Sequence, residues 1–444
     1  MTYSEKINLF IKTKTDDPKA FIRVFGCQQN EADAEKICGF VLKSGFRFVE
    51  CEQESDLIIF VTCAVRHTAQ NKIFGHIGRL KKIKEINPNV FIVIFGCMAE
   101  QKEICEKIRL HYKFIDLVIG SKSIDAFPKL LCEEITGENY NICEKIPEEM
   151  PVKRKSNFKA WVSIISGCNN FCSYCVVPFV RGQEKSRSAS EILNEINHLV
   201  KKGYKDITLL GQNVNSYEDG KICFSDLILE INKIKGDFFL NFMTSHPKNM
   251  NKEIIDALAE SPHFGGRFHL PVQSGSNRIL KLMNRNYTKQ KYLEIINYAR
   301  LKIPYLTITS DLIVGFPGEL REDFEETLDL IKLAKFSSIF TFIYSKRKGT
   351  VAEKMPDLTP HSEKISRFNE LANIQNSISE KIFTKEIGKK HKILIESCQD
   401  NMALCRTGGG VIVKIKGKYS ELLGTFAECK ITSAQRSFLW GNLI

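Results

Sequence analysis

Residues 160–175 read AWVSIISGCNNFCSYC. The apolar stretch Ala160–Ile165 predicts a strand, and Gly167 ends it at a loop that carries Cys168, Cys172 and Cys175. This C-x3-C-x2-C triplet puts three thiols within eight residues, so the loop must coil if all three are to reach one centre. A structural zinc site takes four protein ligands, and ferredoxin-type runs supply four cysteines to complete a cubane. Three thiols therefore suit a four-iron cluster with one iron left open. Half of a zinc site is the competing reading.

Downstream of this loop, strand-like segments recur every 30 to 40 residues: Asp206–Leu210, Phe238–Met243, Arg267–Leu270, Leu306–Val314 and Ser338–Tyr344. Amphipathic stretches such as Glu191–Val200 and Phe324–Leu333 separate them. With the strand before Cys168 they make six βα units, a partial (β/α)6 barrel. Polar or glycine-rich tips follow the strands, and βα barrels build their sites from such C-terminal loops. Gln212, Ser245, Gln273, Asp311 and Gly315 lie at these strand ends.

Upstream, residues 20–137 alternate short apolar strands (Phe21–Phe25, Leu57–Val61, Phe91–Phe95, Ile115–Ile119) with helical periodicities. One helix places Ile73, Ile77, Leu80 and Ile83 on a single face, and Pro88 stops it. The rhythm predicts a doubly wound parallel sheet, making the whole chain an α/β protein. Cys27, Cys63 and Cys97 each fall just past the end of a strand, where open α/β sheets bind ligands. Their shared placement favours a second cluster over three small buried hydrophobes. Residues 138–158 mix charge and proline without periodicity and read as a linker, leaving 159–384 for the barrel.

Residues 385–444 carry ten basic against five acidic side chains, which is +5 of the +12 total. Short strands at Lys392–Glu396, Val411–Lys416, Thr425–Ile431 and Phe438–Ile444 predict a small β-barrel. Lys414, Lys416 and Lys418 alternate with Val413, Ile415 and Gly417, giving one basic strand face. That face is either simply solvated or set against an anion.

The composition agrees with three soluble domains. A chain of 444 residues with 43% hydrophobic and 26% charged residues is neither collagen-like, disordered nor multi-span. Fifteen cysteines cannot all pair within one chain, and MTYSEKINLF shows no signal-peptide pattern. A cytoplasmic protein with reduced thiols and no membrane association is expected. The nine cysteines outside the two triads are expected to be packing residues.

The triplet, with an aromatic before its third cysteine, resembles the radical S-adenosylmethionine (SAM) enzymes. The longer string Gly167–Gly182, with Ser186-Arg187, is similar to their methylthiotransferase branch, as are Gly26-Cys27-Gln28, Thr62-Cys63-Ala64-Val65-Arg66 and Gly96-Cys97-Met98-Ala99. Leu210-Gly211-Gln212-Asn213-Val214-Asn215, Thr244-Ser245-His246-Pro247 and Tyr344-Ser345-Lys346-Arg347 resemble the MiaB-type tRNA methylthiotransferases. Val61, His67, Lys348 and the tail Phe438-Leu439-Trp440-Gly441 depart from that family's usual residues.

The resemblance implies two [4Fe-4S] clusters, one on Cys168, Cys172 and Cys175 and one on Cys27, Cys63 and Cys97. With SAM as the cofactor, the strand-end positions of Gln212, Ser245, Gln273, Asp311 and Gly315 make them the expected SAM contacts. Arg181, Arg187 and Arg347 would meet the RNA backbone or a SAM carboxylate, or serve the structure alone, and an electron donor such as flavodoxin or ferredoxin would serve the enzyme. The last segment resembles the TRAM domain, which implies phosphate contact from Lys414, Lys416 and Lys418. The implied reaction adds a methylthio group to carbon 2 of N6-isopentenyladenosine, at position 37 beside the anticodon in tRNA. That unactivated C–H bond calls for radical chemistry from a cofactor. The same chemistry on threonylcarbamoyl-adenosine or on a ribosomal-protein aspartate is the nearest alternative. A non-enzymatic iron–sulfur RNA-binding regulator is another.

Overall fold

The computed structural model describes all residues except 65–66 and 139–149, with side chains in the helix His67–Ile86 described from Ile73 onward. Val65, Arg66, Cys143 and the middle of the expected linker lie outside the described residues. Two compact units result. The first comprises Met1–Lys155 with Val176–Gln183, the second Ser156–Cys175 with Glu184–Ile444.

In the first unit, β1 (Lys19–Val24), β2 (Arg47–Phe48), β3 (Leu57–Thr62), β4 (Phe91–Gly96) and β5 (Leu117–Gly120) form a parallel sheet in the order β2-β1-β3-β4-β5. β3 is buried at every position, the mark of a central parallel strand covered on both faces. Its Leu57, Ile59 and Val61 pack under the helices Tyr3–Lys12, Gln28–Lys43 and Phe127–Thr136. Ile58 and Phe60 pack on the other side with Ile73, Ile77 and Leu80. The sheet is doubly wound, as the sequence predicts. The helix Tyr3–Lys12, closed by a Thr2–Glu5 capping box, precedes the elements expected from the sequence.

In the second unit, β6 (Lys159–Ser163) is followed by a short antiparallel pair, β7 (Ile165–Ser166) and β8 (Lys185–Ser186). Then come β9 (Asp206–Leu210), β10 (Phe239–Phe242), β11 (Arg267–His269), β12 (Thr307–Val314) and β13 (Ser338–Ile343). β6, β9 and β10 form one parallel trio and β11, β12 and β13 another. Single parallel bridges at Leu240–Phe264 and Gln273–Leu312 extend these ladders. The six strands make the expected partial barrel.

Alternation sorts the strand residues. Val162, Ile207, Leu209, Leu240, Phe268, Ile308 and Leu312 pack outward beneath the helices. The opposite face presents Trp161, Asn241, His269, Asp311, Phe340 and Phe342 to the lumen. His269 there lies 2.9 Å from the Thr309 hydroxyl and 3.7 Å from Asp311.

The remaining strands, β14 (Lys390–Gln399), β15 (Met402–Thr407), β16 (Ile412–Lys416), β17 (Phe426–Ala434) and β18 (Phe438–Leu443), close a barrel in the order β14-β15-β16-β18-β17. The sequence reading did not foresee β15. Its hairpin with β16 meets the foot of the larger barrel. A Cβ on Gly265 would stand 2.4 Å from the Gly408 carbonyl oxygen, and one on Gly409 2.3 Å from the Thr307 hydroxyl. Glu396, 8% exposed, accepts from Lys159 at 2.8 Å and from Arg406 at 2.9 Å across this junction. Among the described residues no helix is long and apolar enough to cross a membrane.

Candidate functional site

In the first unit, three strand ends bring Cys27, Cys63 and Cys97 into one neighbourhood. Cys27 caps the N-terminus of the helix Gln28–Lys43, Cys63 follows β3, and Cys97 opens a 3-10 turn after β4. A hydrogen-bonded chain fixes these loops. The fully buried Asn30 accepts from the Cys27 thiol at 3.2 Å and donates to the Thr62 carbonyl at 2.8 Å. The Thr62 hydroxyl donates in turn to the Phe95 carbonyl at 2.8 Å. Gly96 sits at φ +116°, and a Cβ there would stand 2.4 Å from the Thr62 carbonyl oxygen. Only glycine allows so close a crossing at that dihedral.

A hydrogen bond with Cys63 holds the Cys27 thiol below its ordinary pKa against the effect of burial, with the Asn30 backbone and Arg181 helping. Burial pushes Cys97 up, opposed by Arg181. Arg181, for which the sequence leaves RNA, a SAM carboxylate or a structural role open, is buried. Its Nε donates to Cys97 Sγ at 3.1 Å, and its Nη1 pairs with Asp33 at 2.8 Å. The short helix Val177–Arg181 that carries it is pinned where Ser121 donates to the Val180 carbonyl at 2.7 Å.

In the second unit, the Cys168–Cys175 loop is coiled. Gly167 and Phe171 both take positive φ, at 80° and 45°, and the Cys175 amide donates to the Cys172 carbonyl at 2.9 Å. The segment 282–284 supports it. Ser173 donates through its amide to Met283 and through its hydroxyl to Leu282, while Asn284 donates to the Phe171 carbonyl. Cys168 is buried, which raises its thiol pKa. Cys172 has His246 Nε2 at 4.0 Å and Arg285 Nη1 at 3.6 Å. Burial, with Arg285 and Lys248 nearby, lowers His246 to about 2, so its imidazole is neutral.

The strand-end residues expected to contact SAM hold the backbone of the site. Gln212 accepts from the Gly167 amide at 2.6 Å and so fixes the entry to the cysteine loop. Ser245 donates to the His269 carbonyl at 2.5 Å. Gln273 adopts φ +72° and its amide donates to the Asp311 carbonyl. Gly315, at φ +69°, donates its amide to Glu319, which pairs with Arg367 at 3.1 Å. Asp311 alone of the five presents a charged side chain to the lumen. Arg187 is tied to the Ser163 carbonyl and Glu195.

On the small barrel, Lys414 and Lys416 project from β16 and Lys418 is exposed beyond it. Lys414 Nζ lies 4.0 Å from the Phe438 ring centroid, and Lys416 lies 5.9 Å from that of Trp440. β16 pairs in parallel with β18, which sets these rings beside the lysines. In the sequence Phe438 and Trp440 stand out only as part of a departing tail, not as members of this face. Two cysteines expected to be packing residues are exposed instead. Cys51 donates to Gln53, and Cys223 sits before the helix Phe224–Asn232 against Asp226. Both stand at helix starts, where side chains face water. Among the described residues, no three His, Cys, Asp or Glu side chains gather as they would around a single metal ion.

A strand-end cysteine triplet on a partial parallel barrel defines a radical SAM protein, and the comparisons agree. The Radical SAM superfamily model matches residues 162–331, and the model described as uncharacterized protein family UPF0004 matches 19–120. The radical SAM methyltransferase TsrM from Kitasatospora setae has a similar fold, with a TM-score of 0.58 at 13% identity over 76% of this chain and 77% of that one. The cobalamin-dependent radical enzyme OxsB gives 0.52 at 12% identity over 82% and 58%.

Among curated proteins, the tRNA-2-methylthio-N(6)-dimethylallyladenosine synthase of Thermoanaerobacter sp. (strain X514) is 45% identical over 95% of this chain and 92% of its own length. The protein of the same name from Clostridium botulinum (strain Loch Maree / Type A3) is 43% identical over 96% of each. The chain belongs to the tRNA-2-methylthio-N(6)-dimethylallyladenosine synthase family. Membership of the radical SAM superfamily brings with it SAM and a [4Fe-4S] cluster.

Proposed function

We propose that this protein transfers a methylthio group to carbon 2 of N6-isopentenyladenosine at position 37 of tRNA. The observation that carries this reading is full-length similarity to synthases of that name, together with all six triad cysteines. In this reading Cys168, Cys172 and Cys175 hold the SAM-binding cluster, and Cys27, Cys63 and Cys97 hold a second [4Fe-4S] cluster.

The surroundings suit such groups. Soft thiols are the donors that iron–sulfur clusters take, and both triads have a buried arginine beside a sulfur. Buried Arg181 Nη2 also has no hydrogen-bond partner among the described residues. When bound, the clusters and SAM supply one-electron chemistry and sulfur for a C–H bond that acid–base catalysis cannot attack.

The protein's own part is positioning. Gln212 and the 282–284 segment hold the triplet loop, and Asn30 and Thr62 hold the other triad. His246 offers a neutral imidazole beside Cys172, and Asp311 places a carboxylate in the lumen. Phe340 and Phe342, about half exposed on the lumen face, offer apolar surface to a nucleoside. Lys414, Lys416 and Lys418 supply phosphate contacts, with Phe438 and Trp440 as stacking surfaces. A flavodoxin- or ferredoxin-type protein delivers the electron.

The test is anaerobic reconstitution with iron, sulfide, SAM and dithionite, followed by incubation with tRNA carrying N6-isopentenyladenosine. Formation of the 2-methylthio nucleoside with 5′-deoxyadenosine is expected. Conversion of threonylcarbamoyl-adenosine or of a ribosomal-protein aspartate instead would reassign the substrate. No 5′-deoxyadenosine from a fully loaded protein would favour a regulator.

A further inference from the structure

The two cysteine triads share a feature that no local motif announces: one sulfur of each accepts from a buried arginine. The two arginines differ in how their charge is balanced. Arg181, 8% exposed at its side chain, donates to Cys97 at 3.1 Å and is paired at 2.8 Å with Asp33, itself 5% exposed. Its positive charge is answered by a carboxylate.

Arg285 is 6% exposed and donates through Nη1 to Cys172 Sγ at 3.6 Å and to Tyr174 Oη at 3.5 Å. Its Nη2 donates to the Pro271 carbonyl at 2.6 Å and its Nε to Tyr287 Oη at 2.8 Å. These partners fix the plane of the guanidinium without neutralising it. Among the described residues Arg285 makes no ion pair. A buried charge left without a counter-charge is costly. The group that answers it must be an anion at the Cys172 sulfur.

We propose that Arg285 is the counter-charge of the group held by Cys168, Cys172 and Cys175 and makes that group easier to reduce by one electron. Arg181, offset by Asp33, gives the other triad a hydrogen bond with little net charge. The electron comes from a low-potential one-electron donor and adds one negative charge beside Arg285. The guanidinium, positioned in advance and shielded from water, stabilises that charge more than solvent would. Arg285 thereby directs the incoming electron toward the SAM-binding side of the protein. This inference rests on the ligand assignment proposed above.

The experiment uses the full-length Cys27→Ala/Cys63→Ala/Cys97→Ala variant, which isolates the second triad, reconstituted anaerobically. Its midpoint potential is measured by EPR-monitored titration with dithionite, with iron content in parallel. Arg285→Gln should retain iron and lower the reduction equilibrium at least tenfold, a negative shift of 59 mV for one electron, and Arg285→Lys should recover most of it. In the complementary Cys168→Ala/Cys172→Ala/Cys175→Ala background, Asp33→Asn should shift the midpoint positive by exposing Arg181. An iron-loaded Arg285→Gln with an unchanged midpoint would overturn the proposal. So would loss of iron from both Arg285 variants, since the residue would then be a scaffold only. Failure of the ligand assignment looks different: the isolating background itself would hold no iron.

Discussion

The Asn30 side-chain amide donates to the Thr62 carbonyl at 2.8 Å, joining the helix that starts after Cys27 to the strand that ends before Cys63. Both residues are fully buried, so Asn30→Ala leaves the carbonyl without that partner and costs about 1–3 kcal/mol. The urea midpoint should fall with the slope unchanged. Iron should fall from about eight per chain toward about four, because only one triad is disturbed. Iron and urea titrations on the same preparation check both.

Gly96→Ala is the sharper perturbation of the same triad. The new Cβ would stand 2.4 Å from the Thr62 carbonyl oxygen at φ +116°, so a buried strand end must move. A loss of at least about 2 kcal/mol and depletion of iron from this triad are expected. Gly137→Ala, at φ +72° with nothing within 4 Å of its Cβ, is the comparison for strain without a clash. It should keep its iron.

Glu396 makes the junction of the two barrels pH-dependent. Burial pushes its carboxyl up, but Arg406 and Lys159 outweigh it and hold the folded value below the ordinary one of 4.5. Its contribution is therefore complete above about pH 4.5 and is lost as the pH falls through the lower folded value. Glu396→Gln should cost about 3 kcal/mol at pH 7, since it leaves Arg406 and Lys159 without their shared anion. The difference from wild type should shrink below pH 4 when urea midpoints are compared.

Lys414 and Trp440 separate two contributions to RNA binding. Lys414→Ala should weaken tRNA binding and reduce the dependence of log K on log salt by about one unit. Trp440→Ala should cost about 1–3 kcal/mol of stacking with little change in salt slope. Filter binding across a salt series distinguishes them. Equal slopes in wild type and Lys414→Ala would remove that lysine from the interface.

The parallel strands were legible because burial on both faces turns them into continuous apolar runs, as in Leu57–Thr62. β15 was not, because MALCRT has no apolar–polar alternation: the small Ala403, Cys405 and Thr407 are buried, while the larger Met402, Leu404 and Arg406 are half-buried. The six cysteines could be read from motif and strand position. Arg181 and Arg285 could not be given their partners, since Cys97 and Cys172 lie 84 and 113 positions away. Sequence also gives no sign that Val176–Gln183, directly after Cys175, belongs with the N-terminal unit. Gln212 and Ser245 were legible by their position at strand ends, but their backbone partners Gly167 and His269 were not, lying 45 and 24 positions away.

The central claim is the reaction on tRNA, and nucleoside analysis of total tRNA from a deletion strain tests it most directly. The account predicts that 2-methylthio-N6-isopentenyladenosine disappears and N6-isopentenyladenosine accumulates. The wild-type protein should reverse this, and Cys168→Ala or Cys97→Ala variants should not. Unchanged 2-methylthio-N6-isopentenyladenosine in the deletion strain would contradict it.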